Sequence, residues 1–188
     1  MRIISGLFKG KKIIEPNDTK TRPLKDLTKE SIFNIIEHSN KLNINLNESI
    51  ILDLFSGVGS FGIECLSRGA KKVVFIENYS GVLPILKKNL ADLKTINNYE
   101  IFERDIYKSD FQLDLNNKFN LIFLDPPYAD KNINELLHKI IKYELLNDDG
   151  IIIAHRHKSE KVFFSSDFKI IDEKKYGVSK IFFLSKLN

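Results

Sequence analysis

Two stretches of this chain combine residue types that can do chemistry. The first is Asp125-Pro126-Pro127-Tyr128, which directly follows the apolar run Phe119-Asn-Leu-Ile-Phe-Leu124. Two prolines stop a buried strand and stiffen the loop after it, because neither can donate to a ladder. Such a corner can hold one carboxylate, one carbonyl and one aromatic ring in fixed relation. That set suits methyl transfer to an exocyclic amine of a nucleobase. The amine lone pair is delocalised into the ring, so the nitrogen is a poor nucleophile. Acceptors aimed at its two N–H bonds draw it toward a tetrahedral shape and stabilise the developing positive charge. Asp125 and the Pro126 carbonyl are the candidate acceptors, with Tyr128 stacking on the base. With a sulfonium as donor no powerful base is needed, and in-line placement supplies most of the rate.

The second stretch is Asp53-Leu-Phe55-Ser56-Gly57-Val-Gly59-Ser-Phe-Gly62. Ser49-Ile-Ile-Leu before it reads as a buried strand, and Phe61, Cys65 and Leu66 after it fall at helical spacing. Strand, glycine turn and helix in that order make a nucleotide-binding unit, since glycine lets backbone approach a ligand and the helix start presents free N–H groups. The glycine spacing also satisfies the dinucleotide fingerprint, and Glu77 lies 20 residues beyond Gly57, where a ribose-binding acid belongs. Asp53 argues against a dehydrogenase, because an acid there would repel a pyrophosphate. It suits an ammonium group instead, such as the methionine end of S-adenosylmethionine. A tight turn with no ligand is the plain structural alternative.

The elements that must position these residues alternate strand and helix, the signature of a parallel sheet with right-handed crossovers. Lys72–Ile76 is a strand ending at Glu77, and Ser80 is placed to cap the next helix with Pro84 in its first turn. Tyr99–Glu103 is a strand ending just before Asp105, and a helix spans about Asn132 to Tyr143. Gly150–Ala154 is the fifth strand. The tail, Phe168–Lys175 and Val178–Leu184 around Tyr176-Gly177, forms an antiparallel hairpin. Four acids, Asp53, Glu77, Asp105 and Asp125, therefore stand at strand ends, the edge where open α/β sheets bind ligands. His155-Arg156-His157 reads as a solvated basic loop after the fifth strand, and no metal is expected there.

Ahead of the sheet, Arg2–Gly6 and Lys11–Glu15 read as a small β-hairpin, and a helix runs from about Asp26 to His38. The hairpin concentrates Arg2, Lys9, Lys11 and Lys12, either a charged edge that discourages aggregation or a phosphate-contacting arm. The 188 residues are 43% hydrophobic with a net charge of +4, an ordinary globular composition whose mild basicity permits a nucleic-acid partner without demonstrating one. No apolar run approaches a membrane span, and the first residues lack a signal peptide's apolar segment. The single cysteine, Cys65, reads as core filler and excludes a disulfide framework, so a cytoplasmic location is the default.

Asp53-Leu-Phe-Ser-Gly-Val-Gly together with Asp125-Pro-Pro-Tyr resembles the class I S-adenosylmethionine-dependent methyltransferases that act on exocyclic amino groups. Arg2-Ile-Ile-Ser-Gly6, Lys9-Gly-Lys-Lys-Ile13, Arg22-Pro23, Asp26, Glu30, Phe33-Asn34, Gly62-Ile-Glu64, Leu66-Ser-Arg-Gly-Ala70 and Tyr176-Gly177 make the chain similar, over nearly its whole length, to the bacterial RsmD-like 16S ribosomal RNA guanine-N2 methyltransferases. The resemblance implies a Rossmann-like α/β fold with a seven-stranded, mostly parallel sheet. Residues 1–40 would form an RNA-contacting extension and residues 41–188 the S-adenosylmethionine-binding domain. Asp53 and the Phe55–Gly59 loop (Phe55, Ser56, Gly57, Gly59) would hold the methionine part. Glu77, with Asn78 beside it, would bind the ribose diol, Asp105 with Ile106 the adenine, and Asp125 to Tyr128 the target guanine. Arg2, Lys9, Lys11, Lys12 and Arg22 would grip 16S rRNA, free or in an assembling small subunit, with a monomer as the expected state. The chain departs from the family pattern at Leu24, Leu27 and Ala154, where a hydroxyl residue, a basic residue and a strand-ending glutamate are usual. A DNA adenine-N6 or cytosine-N4 methyltransferase would use a nearly identical cleft but would need a recognition insertion longer than any here. A non-catalytic assembly factor would not need both motifs intact.

Overall fold

The computed structural model describes residues 1–16, 24–108, 118–127 and 129–187. Arg22 and Tyr128 lie outside the described residues. Five parallel strands, β1 (Ile50–Leu54), β2 (Lys72–Glu77), β3 (Tyr99–Glu103), β4 (Phe119–Leu124) and β5 (Leu146–His157), are extended by the antiparallel pair β6 (Phe168–Tyr176) and β7 (Ser179–Lys186). The order across the sheet is β3-β2-β1-β4-β5-β7-β6, so the chain reverses its direction of winding between β1 and β4. The central strands β2, β1 and β4 are nearly continuous runs of Val, Ile, Leu and Phe because both faces are covered.

On one face lie α1 (Asp26–His38), α2 (Ser60–Ser67) and α3 (Leu83–Ala91), with the N-terminal segment packed beside them. On the other lies α4 (Ile133–Lys142), whose Ile133, Leu136, Leu137 and Ile140 recur at i, i+3, i+4 and i+7 and are all buried. Cys65 is fully buried in α2, and burial pushes its thiol well up in pKa, as befits core filler.

Several expectations need correction. Asp53 lies inside β1, which runs on to Leu54. Ser80 does not cap α3: Val82 and Leu83 donate their N–H groups to the Tyr79 carbonyl, so the chain makes a turn first and the helix starts at Leu83. The fifth strand does not stop at Ala154. β4 supports it only that far, through Leu124 opposite Ala154, but β7 pairs with it antiparallel as far as His157 opposite Ser179. His155 and Arg156 are consequently buried residues of a strand, not part of a solvated loop.

The N-terminal hairpin is held by one antiparallel bridge, Arg2 to Lys12, rather than by two full strands. Several of its other backbone groups turn to α2. The Ile4 and Ser5 N–H groups donate to the two carboxylate oxygens of Glu64 (2.7 and 2.9 Å), and the Ser67 hydroxyl donates to the Ser5 carbonyl (2.6 Å). Gly6 has φ +78°, and a Cβ there would stand 1.9 Å from the Ser67 carbonyl oxygen. Glu64 and Lys29, both without exposed surface, lie 3.5 Å apart, and Lys29 also donates to the Arg2 carbonyl (2.8 Å). Burial holds the Lys29 pKa down, with the Glu64 charge opposing.

Glu64 thus gathers two backbone donors, the Arg68 guanidinium and Lys29. Glu64→Ala leaves a buried ammonium without its counter-charge and two part-buried N–H groups without their acceptor, and it is expected to lower stability by about 3–5 kcal/mol. Urea unfolding of the purified variant measures this; a loss below about 1 kcal/mol would show that the hairpin is held by its apolar contacts alone.

Candidate active site

The glycine turn and the diproline corner are brought together by the sheet. Leu54 stands opposite Leu124 in the parallel β1–β4 pair, and the Asp125 N–H donates to the Leu54 carbonyl (3.4 Å). The two motifs leave neighbouring strands at the same level, at the carboxyl edge and beside the point where the winding reverses. Ligand crevices of open α/β sheets form there.

After Leu54 the backbone enters left-handed conformations at Phe55 (φ 61°), Gly57 (55°) and Gly59 (84°). A Cβ at Gly59 would also meet Leu86 Cδ1 at 2.6 Å, so that side chain would have to shift. Ser56, mostly buried, locks the bend by donating its hydroxyl to the Asp53 carbonyl (2.6 Å). The Asp53 carboxylate reaches across the turn and accepts from the Gly62 N–H in the first turn of α2 (2.9 Å). Asp53 is 1% exposed. Burial drives its pKa well up, the Gly62 bond pulls against this, and the charges of Asp125 and Glu77 push it further up. Three acids at the carboxyl edge of the sheet therefore share one electrostatic neighbourhood.

Glu77 closes the turn from β2. Its Oε2 accepts from the Gly57 N–H (2.7 Å), and its Oε1 accepts from the N–H groups of Asn78 (2.9 Å) and Tyr79 (2.8 Å). With about two acceptor positions on each carboxylate oxygen, Oε1 is filled and Oε2 keeps one. Asp105 orders the loop after β3 by accepting from the Tyr107 N–H (2.9 Å), and Ile106 is buried behind it. Tyr107 then ties the rim together: its ring lies 6.0 Å from Phe55, and its hydroxyl donates to Asp130 Oδ2 (2.7 Å). Burial and the Asp130 hydrogen bond push the Tyr107 phenol far up in pKa, so it keeps the proton that it donates to Asp130.

Asp125 is held from β5. Its Oδ1 lies 2.7 Å from His155 Nδ1, and His155 Nε2 lies 2.8 Å from the Ser179 hydroxyl of β7. In the neutral ring, Nδ1–H donates to the carboxylate while Nε2 accepts from Ser179. The order acid–imidazole–hydroxyl matches that of serine hydrolases, but here the hydroxyl is buried and the acid is the member nearest the cleft, with 19% of its side chain exposed. Pro126 is buried and Pro127 exposed. Sequence reasoning missed His155 because it ended the strand three residues too soon; carrying β5 onward to His157 places His155 beside Asp125.

Of the expected basic contacts, Arg2, Lys9 and Lys12 are exposed on the hairpin. Lys11 is not available in the same way: it donates to the Asp92 carbonyl and its ammonium lies 5.8 Å from the Phe8 ring centre. The hairpin also reaches the site through Asn89 of α3, another residue without a sequence signal. Its carboxamide accepts from the Ile14 N–H (2.9 Å) and donates to the Val58 carbonyl in the glycine turn (3.1 Å).

This geometry can be set beside known proteins. The family model described as "Conserved hypothetical protein 95" matches residues 1–185. Ribosomal RNA small subunit methyltransferase D of Haemophilus influenzae is 32% identical over 181 residues, covering 95% of this chain and 90% of that protein. The Escherichia coli protein of the same name is 30% identical over 152 residues, 81% and 72% of the two chains. A solved Escherichia coli structure, assigned as the methyltransferase yhhF, superposes with a TM-score of 0.81 at 25% identity, covering 99% of this chain and 97% of that one. An RNA methyltransferase from Salinibacter ruber, solved with S-adenosyl-L-homocysteine, shares the fold at 15% identity (TM-score 0.61; 86% and 92% covered). With a family match over nearly its whole length, the chain belongs to the RsmD-like methyltransferase family.

Proposed function

We propose that this protein is an S-adenosylmethionine-dependent methyltransferase that modifies the exocyclic N2 of a guanine in the 16S RNA of the small ribosomal subunit. The observation that carries the reading is the pairing of Leu54 with Leu124, which sets a buried acid and glycine turn beside a rigid Asp-Pro-Pro corner. The residues present fit the cofactor. Asp53 is a buried acid that a cation would relieve. The Ser60 hydroxyl, at the start of α2, is buried with no hydrogen-bond partner among the described residues.

When bound, S-adenosylmethionine supplies an activated methyl group on sulfur. Asp53 would face the ammonium, Ser60 and the first N–H groups of α2 the carboxylate, Glu77 Oε2 the ribose, with Asn78 beside it, and Asp105 with Ile106 the adenine. Asp125 would accept from the target amine through Oδ2, since Oδ1 is engaged by His155. The Pro126 carbonyl would take the second N–H and Tyr128 would stack on the base. Arg2, Lys9, Lys12 and Arg22 would meet RNA phosphates, with an assembling particle and a cytoplasmic monomer as the expected setting. Mass spectrometry of small-subunit RNA from a deletion strain tests the function: the loss of one N2-methylguanine is expected, whereas preferential labelling of duplex DNA over transcript by the purified enzyme would overturn it.

Asp125→Ala should lower methyl transfer by about 100-fold or more, the scale for removing one preorganised polar contact to developing charge. Cofactor binding by calorimetry should survive it. Loss of both together would make Asp125 a structural residue. His155 should act through Asp125: His155→Asn, whose amide can stand where Nδ1 does, is expected to retain most of kcat, while His155→Leu loses about tenfold at unchanged KM for cofactor. Equal losses in the two variants would argue against orientation of the carboxylate.

Asp53 links function to stability. Its folded pKa lies above the unfolded value of about 3.9, so the folded state holds the proton more tightly. The stability this confers is complete below pH ~4 and is lost as pH rises through the raised folded value. Asp53→Asn keeps an acceptor for Gly62 and removes that loss. Thermal unfolding between pH 5 and 8 should show the variant overtaking the wild type as pH rises. Its affinity for S-adenosylmethionine should fall at least about tenfold, the scale of a charged hydrogen bond.

A further inference from the structure

Strand alternation sends Arg156 to the sheet face opposite His155, where it lines a cavity of about 420 Å³ together with Asp130, Lys131, Asn134, Lys161 and Phe163. That volume is in the range of small-molecule clefts. The cavity begins two residues beyond Tyr128, at the exit of the diproline corner. Arg156 is 3% exposed. Its Nε and Nη2 lie 2.8 and 2.6 Å from Glu160 Oε2, and Nη2 also donates to the Asp130 carbonyl. Its Nη1 is buried and has no hydrogen-bond partner among the described residues. A buried guanidinium N–H without an acceptor is costly, and the acceptor it best matches is an anionic oxygen.

The surroundings select which anion. Lys131 and Lys161 are exposed on the rim. The two carboxylates of the lining are already engaged: Glu160 by Arg156, and Asp130 by the Tyr107 hydroxyl and the Asn132 N–H. Phe163 is 78% exposed, yet its backbone is fixed, because its carbonyl accepts from Asn134 Nδ2 (2.7 Å) and Ser165 N–H donates to Asn134 Oδ1 (3.0 Å). A large ring held in water next to cationic groups is the pattern of a base-stacking platform on single-stranded RNA. A free phosphate would have no use for it.

We propose that this cavity receives the nucleotide adjoining the target guanine, its phosphate on Arg156 Nη1 with Lys131 or Lys161 and its base against Phe163. The proposal rests on the reading of Asp125 to Tyr128 as the target-base corner. It adds a second foothold on the α4 face of the sheet, opposite the hairpin, so that the strand is held on both sides of the flipped base.

The test uses the full-length enzyme and a small-subunit RNA transcript, with binding measured across salt concentrations and methyl transfer followed with labelled cofactor. Phe163→Ala should raise KM for RNA about 30-fold, near the middle of the stacking range per base. Loss of a phosphate contact in Lys131→Gln or Lys161→Gln should reduce the slope of log affinity against log salt by about 0.7. In all three variants melting temperature and S-adenosylmethionine affinity should match the wild type, since these side chains are exposed. Arg156→Lys, which keeps the charge and loses the fork, should raise KM without lowering kcat. If the wild type methylates the transcript while the Phe163 and lysine variants match it in KM and salt slope, the cavity is not an RNA subsite and the proposed activity still stands. If the wild type neither binds nor methylates ribosomal RNA, the activity and this inference fall together.

Discussion

The pairing of Leu54 with Leu124 is the constraint on which the rest of the molecule depends. Parallel register fixes not only which strands are neighbours but which residues leave the sheet at the same height. A slip of one residue would turn the Asp125 side chain to the opposite face and separate it from Asp53. The apolar side chains of β1 and β4 have almost no exposed surface on either face, so such a slip would also swap the side chains of two closely packed cores and lose their fit. The register that the core demands is thus the same register that assembles the site.

That assembly concentrates negative charge. Asp53, Glu77 and Asp125 act on one another at the edge of the sheet, and the protein answers each differently. Glu77 is surrounded by three backbone N–H donors, Asp125 is tied to an imidazole, and Asp53 has one N–H and little else. The least compensated of the three is also the most buried. A fold that tolerates such an arrangement gives up stability at the place where a cationic ligand would return it.

Much of this was legible in the chain. Strand-length apolar runs bounded by acids gave the parallel sheet, and Tyr176-Gly177 gave the terminal hairpin, because those signals are local. The ends of β5 were not legible, since its last three residues are strand only by virtue of pairing with β7, a partner more than 20 residues away. His155 and Arg156 therefore looked like a charged loop. Asn89 gave no sign either, and Glu64 only as part of the family pattern with no role attached: a polar residue on a helix reads as solvated until the segment it serves is known. The glycine turn and diproline corner were visible because their residue types are uncommon in strands; their helpers were invisible because their types are ordinary.

The closeness of Gly6 to the Ser67 carbonyl has a mechanical meaning. A hairpin wedged that tightly against a helix cannot swing to meet a nucleic acid; it is a ledge, not a finger. Any ligand lying across it must arrive with the matching curvature or be bent to it, and the entropy of ordering then falls on the ligand. Recognition of that kind discriminates among shapes before it discriminates among letters.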